Sequence, residues 1–200
     1  FVGQGVGSAA LGAVNIGVPF ITFAVAIAAM FPMGGGTVIA IRMGRADKEG
    51  ANHAFMTAFL LTMLASLLLT LIGMAFSRQI VDLSGGRTLS HTMRDMAADY
   101  LFYYCAFSVP MLMSTCLSVF VRNDGSPTLS FVGMCVGAGA NIFLDWLFIF
   151  PIKMGVIGAA IASGLGQVFS VAVLLSHFVR KRGSLRFQRF PVSGALVGKI

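Results

Sequence analysis

The sequence contains very few charged residues. Only 10% of its 200 residues are Asp, Glu, Lys or Arg, against roughly 25% in a typical soluble domain. A water-soluble globule of this size would need more charge than that to cover its surface. The shortage therefore excludes an ordinary soluble enzyme, a nucleic-acid-binding domain and a disordered tail, and we expect no nucleic acid partner.

Patterns that signal catalysis or metal binding are also missing. The sequence has no G-x-S-x-G, H-E-x-x-H or P-loop motif, and its three histidines show no metal-binding spacing. The three cysteines all lie within apolar runs, and because their number is odd they indicate no disulfide framework. We expect no enzyme activity, no metal and no cofactor. The start at Phe1 without a signal-peptide pattern favours a fragment of a longer protein.

Long hydrophobic runs dominate what is present. Hydrophobic residues make up 57% of the chain, and charges interrupt them at few places. A membrane-spanning helix needs about 20 predominantly apolar residues, and backbone in lipid must satisfy its own hydrogen bonds. The sequence therefore predicts an all-α, polytopic membrane protein. Its five spans are expected at about 11–41, 53–77, 100–121, 127–150 and 156–179.

The first of these stretches is too long for one straight span. It contains Pro19, Pro32 and the glycines at 34–36, and proline removes a helical hydrogen bond. We expect one bent or tilted helix. A two-helix hairpin within 1–41 is the alternative, disfavoured because residues 1–8 are glycine-rich and typical of a loop.

Loop charges predict the orientation, since cytoplasmic loops carry the excess of Lys and Arg. With Phe1 outside, ten bases lie inside: Arg42, Arg45, Lys48, Arg122, Arg180, Lys181, Arg182, Arg186, Arg189 and Lys199. Four lie outside: Arg78, Arg87, Arg94 and Lys153. The asymmetry places Phe1 outside and suggests a sixth span upstream, which would restore a cytoplasmic start.

Two polar segments separate or follow the spans. Residues 79–95 are predicted to form a polar linker. Residues 180–191 form a basic cytoplasmic stretch, which either binds anionic lipid headgroups or simply stops the last helix on the inner side. Residues 192–200 resemble the start of another apolar element, so that 180–200 would link this unit to the next.

Asp145 is the one charge inside a predicted span. Acidic residues in the hydrocarbon region are costly and commonly mark ion or proton pathways. Asn141 precedes it by four residues, so both side chains share one helix face. The pair could bind and release a proton or another cation. The alternative is that Asp145 lies near the outer headgroups and reaches them directly, although its side chain is short for that.

Four segments resemble the multidrug and toxic compound extrusion (MATE) family. They are RNDGSP at 122–127, NIFLDWLFI at 141–149, GVIGAAIAS at 155–163 and FVGQGVGSAALGAV at 1–14. The resemblance covers nearly the whole chain in the order typical of that family. It implies a twelve-helix transporter of two six-helix lobes. Residues 1–179 would be the N-terminal lobe without its first helix.

The same resemblance implies which residues couple transport to an ion. Proton-coupled members hold an acidic network in this lobe, and the motif match puts it at Asp145, Asn141, Ser163 and Tyr100. The family usually has Thr where this chain has Ser163, so the hydroxyl is kept and a methyl is lost. A further acidic residue of the family's first helix would precede Phe1.

The function implied is a proton- or sodium-coupled antiporter in the inner or plasma membrane. It would export amphipathic, often cationic, drugs and toxic compounds by alternating access, together with the C-terminal lobe of the same protein. One alternative is a lipid-linked sugar flippase of related architecture, although no Lys or Arg lies inside the spans to meet pyrophosphate. A membrane-embedded enzyme and a purely structural membrane subunit are the others.

Overall fold

The chain folds into a bundle of helices. The computed structural model describes residues 8–180 and 183–187, leaving out the side chains of 8–11, 27 and 28. Seven α-helices lie in these ranges, and no strand does: α1 Ser8–Gly44, α2 Lys48–Ala75, α3 Ser77–Leu83, α4 His91–Ala106, α5 Ser108–Asn123, α6 Pro127–Ile149 and α7 Gly155–Val179. The all-helical fold predicted from the apolar runs is confirmed.

Helices long enough to cross a membrane lie at the positions predicted for the spans. Four helices, α1, α2, α6 and α7, are each long and apolar enough to cross a bilayer, and α4 with α5 makes a fifth if the pair counts as one span. Helix α1 runs over 37 residues with Pro19 and Pro32 inside it. The first stretch is therefore one helix over its described residues, and not the hairpin alternative.

The third span is divided where the sequence predicts a single helix. Helices α4 and α5 meet at Phe107 and are inclined by 48°. Pro110 lies in the first turn of α5 and lacks the N–H that would bond to the carbonyl of Ala106, so a continuous helix loses this hydrogen bond. The break follows from that proline.

The segment before α4, predicted as a polar linker, contains a short helix and a 3₁₀ turn. Helix α3 and a 3₁₀ turn at Gly86–Thr88 precede Ser90, whose hydroxyl accepts a hydrogen bond from the N–H of Met93 at 3.5 Å and caps α4. An ion pair between Asp82 and Arg94 joins α3 to α4. Residues 79–95 therefore fold onto the bundle.

Two apolar clusters hold the helices together. One lies where α2, α5 and α7 meet, with the ring of Phe55 5.2 Å from that of Phe120 and 5.3 Å from that of Phe178. The other joins α1, α3 and α4 around Val81 and Leu101. Large apolar side chains on α1, α2 and α6 remain exposed, such as Phe23, Leu71 and Phe131, as expected for helices whose solvent is lipid.

The loops that the charge pattern predicts to be cytoplasmic lie together at one end of the bundle. We call it the basic end: turn 45–47, turn 124–126 and segment 183–187. Six of the ten bases predicted to be inside belong to it or border it: Arg42, Arg45, Lys48, Arg122, Arg180 and Arg186. The other four bases, Phe1 and residues 192–200 lie outside the described residues.

Candidate functional site

Asp145 and Asn141 lie one turn apart on α6, and both side chains are half-buried. The Oδ1 atom of Asp145 is buried and has no hydrogen-bond partner among the residues that the structure describes. A buried carboxylate oxygen without a donor is costly. This atom is therefore the part of the site best suited to take a proton or a cation.

The amide of Asn141 reaches across to the next helix. Its Nδ2 atom donates a hydrogen bond to the hydroxyl of Ser163 on α7 at 3.3 Å. The two helices can approach this closely because Gly166 has no side chain. A Cβ atom there would lie only 2.8 Å from the carbonyl oxygen of Gly137 and 2.9 Å from Cβ of Asn141. Small residues at crossings of membrane helices commonly serve this purpose.

Tyr100 lies on α4. Its side chain is half-buried and interacts electrostatically with the carboxylate of Asp145. The ring centroid of Tyr100 lies 5.8 Å from that of Tyr104, one turn further along α4. Three helices thus contribute the four residues singled out in the sequence.

These four residues do not form one continuous network. Asn141 bonds to Ser163, but no hydrogen bond joins Asp145 to the other three within the described part of the chain. The assignment of these residues as an ion-coupling site stays a prediction.

Asn141 also borders a cavity of about 530 Å³. Its lining comes from α1, α5, α6 and α7 and combines flexible apolar groups with hydroxyls, amides and one cationic residue, Arg122. The other lining residues include Met33, Met134, Ser114, Thr115 and Gln167. Binding sites for small molecules have volumes of roughly 300–1,000 Å³ and a mainly apolar wall with a few polar groups. The cavity is thus of a suitable size and chemistry for a small amphipathic molecule.

Metal-binding clusters do not appear among the described residues. Within 8–180 and 183–187, no three His, Cys, Asp or Glu side chains come together in a way that could hold a metal ion. The chemistry of the site is that of one carboxylate with neutral amide and hydroxyl partners.

A second buried carboxylate, not predicted from the sequence, is that of Asp124. Asp124, in the turn between α5 and α6, bonds to His177 at the end of α7, and both side chains are almost fully buried. In the sequence, residues 122–127 are part of the family resemblance and the three histidines show no metal-binding spacing. The signal available was an Asp directly before Gly125 in a turn between two apolar runs.

The family model described as MatE matches residues 1–147 of this chain.

Named relatives are exporters from staphylococci. The multidrug export protein MepA of Staphylococcus haemolyticus is 26% identical over 189 residues, which cover 94% of this chain and 41% of the relative. MepA of Staphylococcus aureus (strain MRSA252) is 25% identical over 182 residues, covering 90% and 39%. The chain thus spans about two fifths of the length of these relatives.

Solved structures have the same fold. A crystal structure of MATE in the bent conformation superposes with a TM-score of 0.89 at 25% identity, covering 98% of this chain and 44% of that one. An inward-facing multidrug resistance MATE family transporter of the MOP superfamily superposes with a TM-score of 0.90 at 24% identity, again covering 98% and 44%.

Proposed function

Since the chain belongs to the MatE family, we propose that it forms most of one lobe of a cation-coupled antiporter. The antiporter exports amphipathic, often cationic, small molecules by alternating access. The family assignment, the all-helical fold and the match to 44% of a two-lobe MATE structure support this architecture. The related proteins are exporters rather than enzymes.

The observation that carries the proposal is the unpartnered Oδ1 atom of Asp145. A carboxylate with an empty, buried acceptor site gains a partner when it binds H⁺ or Na⁺. Asn141 and Ser163 orient one side of the site through their hydrogen bond, and Tyr100 interacts electrostatically with Asp145. The four residues then act as the coupling site.

Ion binding at Asp145 drives the conformational cycle only if it favours one state of the transporter over the other. A ligand shifts such an equilibrium by its differential affinity, with about 1.4 kcal/mol for each factor of ten. A single charge that crosses the membrane contributes about 2.3 kcal/mol per 100 mV. The differential affinity couples ion binding to the conformational change, and the electrochemical gradient of the ion supplies the free energy that expels the substrate.

The substrate binds in the cavity that Asn141 borders. Methionine side chains adapt to ligands of different shape, and Met33 and Met134 line this cavity together with hydroxyl and amide groups. The second lobe of the transporter closes the cavity. Because Asn141 belongs both to the cavity and to the coupling site, ion binding and substrate release are linked at this residue.

The orientation follows from the loop charges. The basic end faces the cytoplasm and Phe1 faces outward, in the plasma membrane of the cell. The grouping of six basic residues at one end supports this arrangement through the positive-inside rule.

The test is export of a fluorescent cationic dye by cells that express a full-length transporter containing these residues. We expect Asp145→Asn to reduce efflux to the level of cells without the transporter, because an amide is not protonated near neutral pH and lacks the negative charge that attracts a cation. The matched control is Asp95→Asn on the exposed surface of α4, which should leave efflux unchanged. Ser163→Thr, which keeps the hydroxyl, should also retain activity.

A proton uncoupler and removal of external sodium distinguish the two coupling ions. Loss of efflux with the uncoupler at constant sodium indicates H⁺, and loss in sodium-free medium at constant pH indicates Na⁺. Unchanged efflux in Asp145→Asn would contradict the assignment of the coupling site. No efflux from the wild type would contradict drug export and favour the flippase.

A further inference from the structure

The carboxylate of Asp124 is enclosed by donors from a distant part of the chain. Its side chain is only 1% exposed. It accepts hydrogen bonds from the backbone N–H of Ser184 at 2.8 Å, from the Ser184 hydroxyl at 2.9 Å and from the N–H of Leu185 at 3.3 Å. The segment that follows α7 is therefore held against the turn between α5 and α6.

His177 supplies a further bond from the last turn of α7. Its side chain is fully buried, and Nε2 lies 2.9 Å from Oδ2 of Asp124. An ionised carboxylate can only accept, so Nε2 carries the hydrogen and donates it. Nδ1 of His177 has no hydrogen-bond partner among the described residues. Within the described part of the chain, the ring therefore makes its hydrogen bond to Asp124 alone, and it packs edge-to-face against Phe178.

Two further contacts hold the same segment, independently of Asp124. The N–H of Arg186 donates to Oδ1 of Asn52 near the start of α2 at 2.8 Å. The ring of Phe187 lies 5.1 Å from that of Phe55 and 5.2 Å from that of Phe178. Residues 183–187, which we call the docked segment, thus contact α2, α7 and the turn between α5 and α6.

The docked segment closely fits the carboxylate. A Cβ atom at Gly183 would clash with the carboxylate of Asp124 and would lie 2.7 Å from Nε2 of His177. Only glycine leaves room there. Apolar contacts alone could hold Phe187 in several positions, whereas a buried carboxylate with four donors permits one arrangement, because any shift leaves it unpaired.

We propose that Asp124 is a positioning residue for transport. By holding the docked segment on the basic end, it fixes the point at which the chain leaves this lobe. The lobe and residues up to Phe187 then move as one body, and the motion between lobes occurs further along the chain. The consequence for transport rests on the proposed function, whereas the docking itself does not.

Limited trypsin digestion tests the docking. Trypsin cleaves after Lys and Arg, and cleavage after Arg186 requires the docked segment to detach, since proteolysis of a folded segment follows its local opening. We expect Asp124→Ala in the full-length protein to accelerate cleavage after Arg186 at least about tenfold, because it removes several hydrogen bonds to a charged group. Cleavage after Arg87, at the opposite end, is the internal reference and should not change.

Graded variants separate docking from general misfolding. Asp124→Asn keeps one acceptor oxygen for Ser184 and should be cleaved more slowly than Asp124→Ala. Ser184→Ala removes only one donor and should give an intermediate rate, which keeps the test decisive if Asp124→Ala does not fold. Asp95→Ala, on the exposed surface of α4, is the matched control. Equal cleavage after Arg186 in wild type, Asp124→Asn and Ser184→Ala would overturn the docking role.

Dye efflux tests the consequence for transport. We expect Asp124→Ala to lower the maximal rate severalfold while the apparent KM for dye and the pH profile stay unchanged, since the coupling site at Asp145 is intact. Asp124→Asn should restore part of the rate. Faster cleavage with an unchanged maximal rate would overturn the positioning role. If the wild type exported no dye, the proposed function would fail, and the cleavage pattern would still decide the docking.

Discussion

Substituting Gly166 with Ala tests whether close packing of α6 and α7 builds the candidate site. The added Cβ atom would lie 2.8 Å from the carbonyl oxygen of Gly137 and 3.2 Å from Cα of Asn141, whereas ordinary contacts begin at 3.4 Å. Both neighbours are backbone atoms, which cannot rotate away. The helices must therefore separate by about half an ångström, a gap that costs much of the local van der Waals attraction.

Gly139 provides a matched control on α6. A Cβ atom there would meet nothing within 4 Å. Replacing glycine by alanine inside a helix stabilises it by about 0.8–1 kcal/mol, and this gain applies to both variants. Overpacking costs about 1–3 kcal/mol. We therefore expect Gly166→Ala to be about 1–3 kcal/mol less stable than Gly139→Ala.

The loss should also appear in function. The bond from Asn141 to Ser163 is 3.3 Å long, near the limit for an N–H···O hydrogen bond, so a further separation of the helices would break it. Thermal unfolding in detergent and dye efflux in cells measure the two effects. If Gly166→Ala were as stable and as active as Gly139→Ala, the account of this helix crossing would be refuted.

Two further predictions concern the rest of the bundle. Phe55→Ala should lower stability by about 3–5 kcal/mol, because this fully buried ring packs against rings of α5, α7 and the docked segment. Phe131→Ala, at a side chain that is 65% exposed, is the control in thermal unfolding. An equal loss of stability in both variants would contradict the prediction. The hydroxyls of Thr70 and Ser108 lie 2.6 Å apart. A double-mutant cycle with Thr70→Val and Ser108→Ala should give a coupling of about 0.6 kcal/mol, the average for membrane helices, and a coupling of zero would mean that this bond adds no stability.

The predicted spans agree with the helices because they depend on local composition alone. Residues 127–150 were predicted as a span and α6 covers Pro127–Ile149; residues 156–179 were predicted and α7 covers Gly155–Val179. The break at Phe107 was missed although its cause, Pro110, is visible in the sequence. Two helices on either side of a proline can form one kinked span or two inclined ones, and the packing around them decides between the two.

The candidate site was predictable only in part. Asp145 stands out in the sequence because a charge in an apolar run is costly, and Asn141 follows from helical spacing. The bond from Asn141 to Ser163 joins residues 22 positions apart, and the family resemblance rather than the residue pattern pointed to that pair. No sequence feature indicated that the docked segment returns to Asp124 across 60 positions.

Composition by itself determined that this protein is a set of membrane helices, because an apolar run of that length in lipid can satisfy its backbone only as a helix. The loop charges likewise predicted which loops lie on the same side of the membrane. Only the tertiary structure decided which polar groups meet, through the close crossing of α6 and α7 and the enclosure of Asp124. Each depends on how helices pack, and packing brings together residues whose separation along the chain carries no signal.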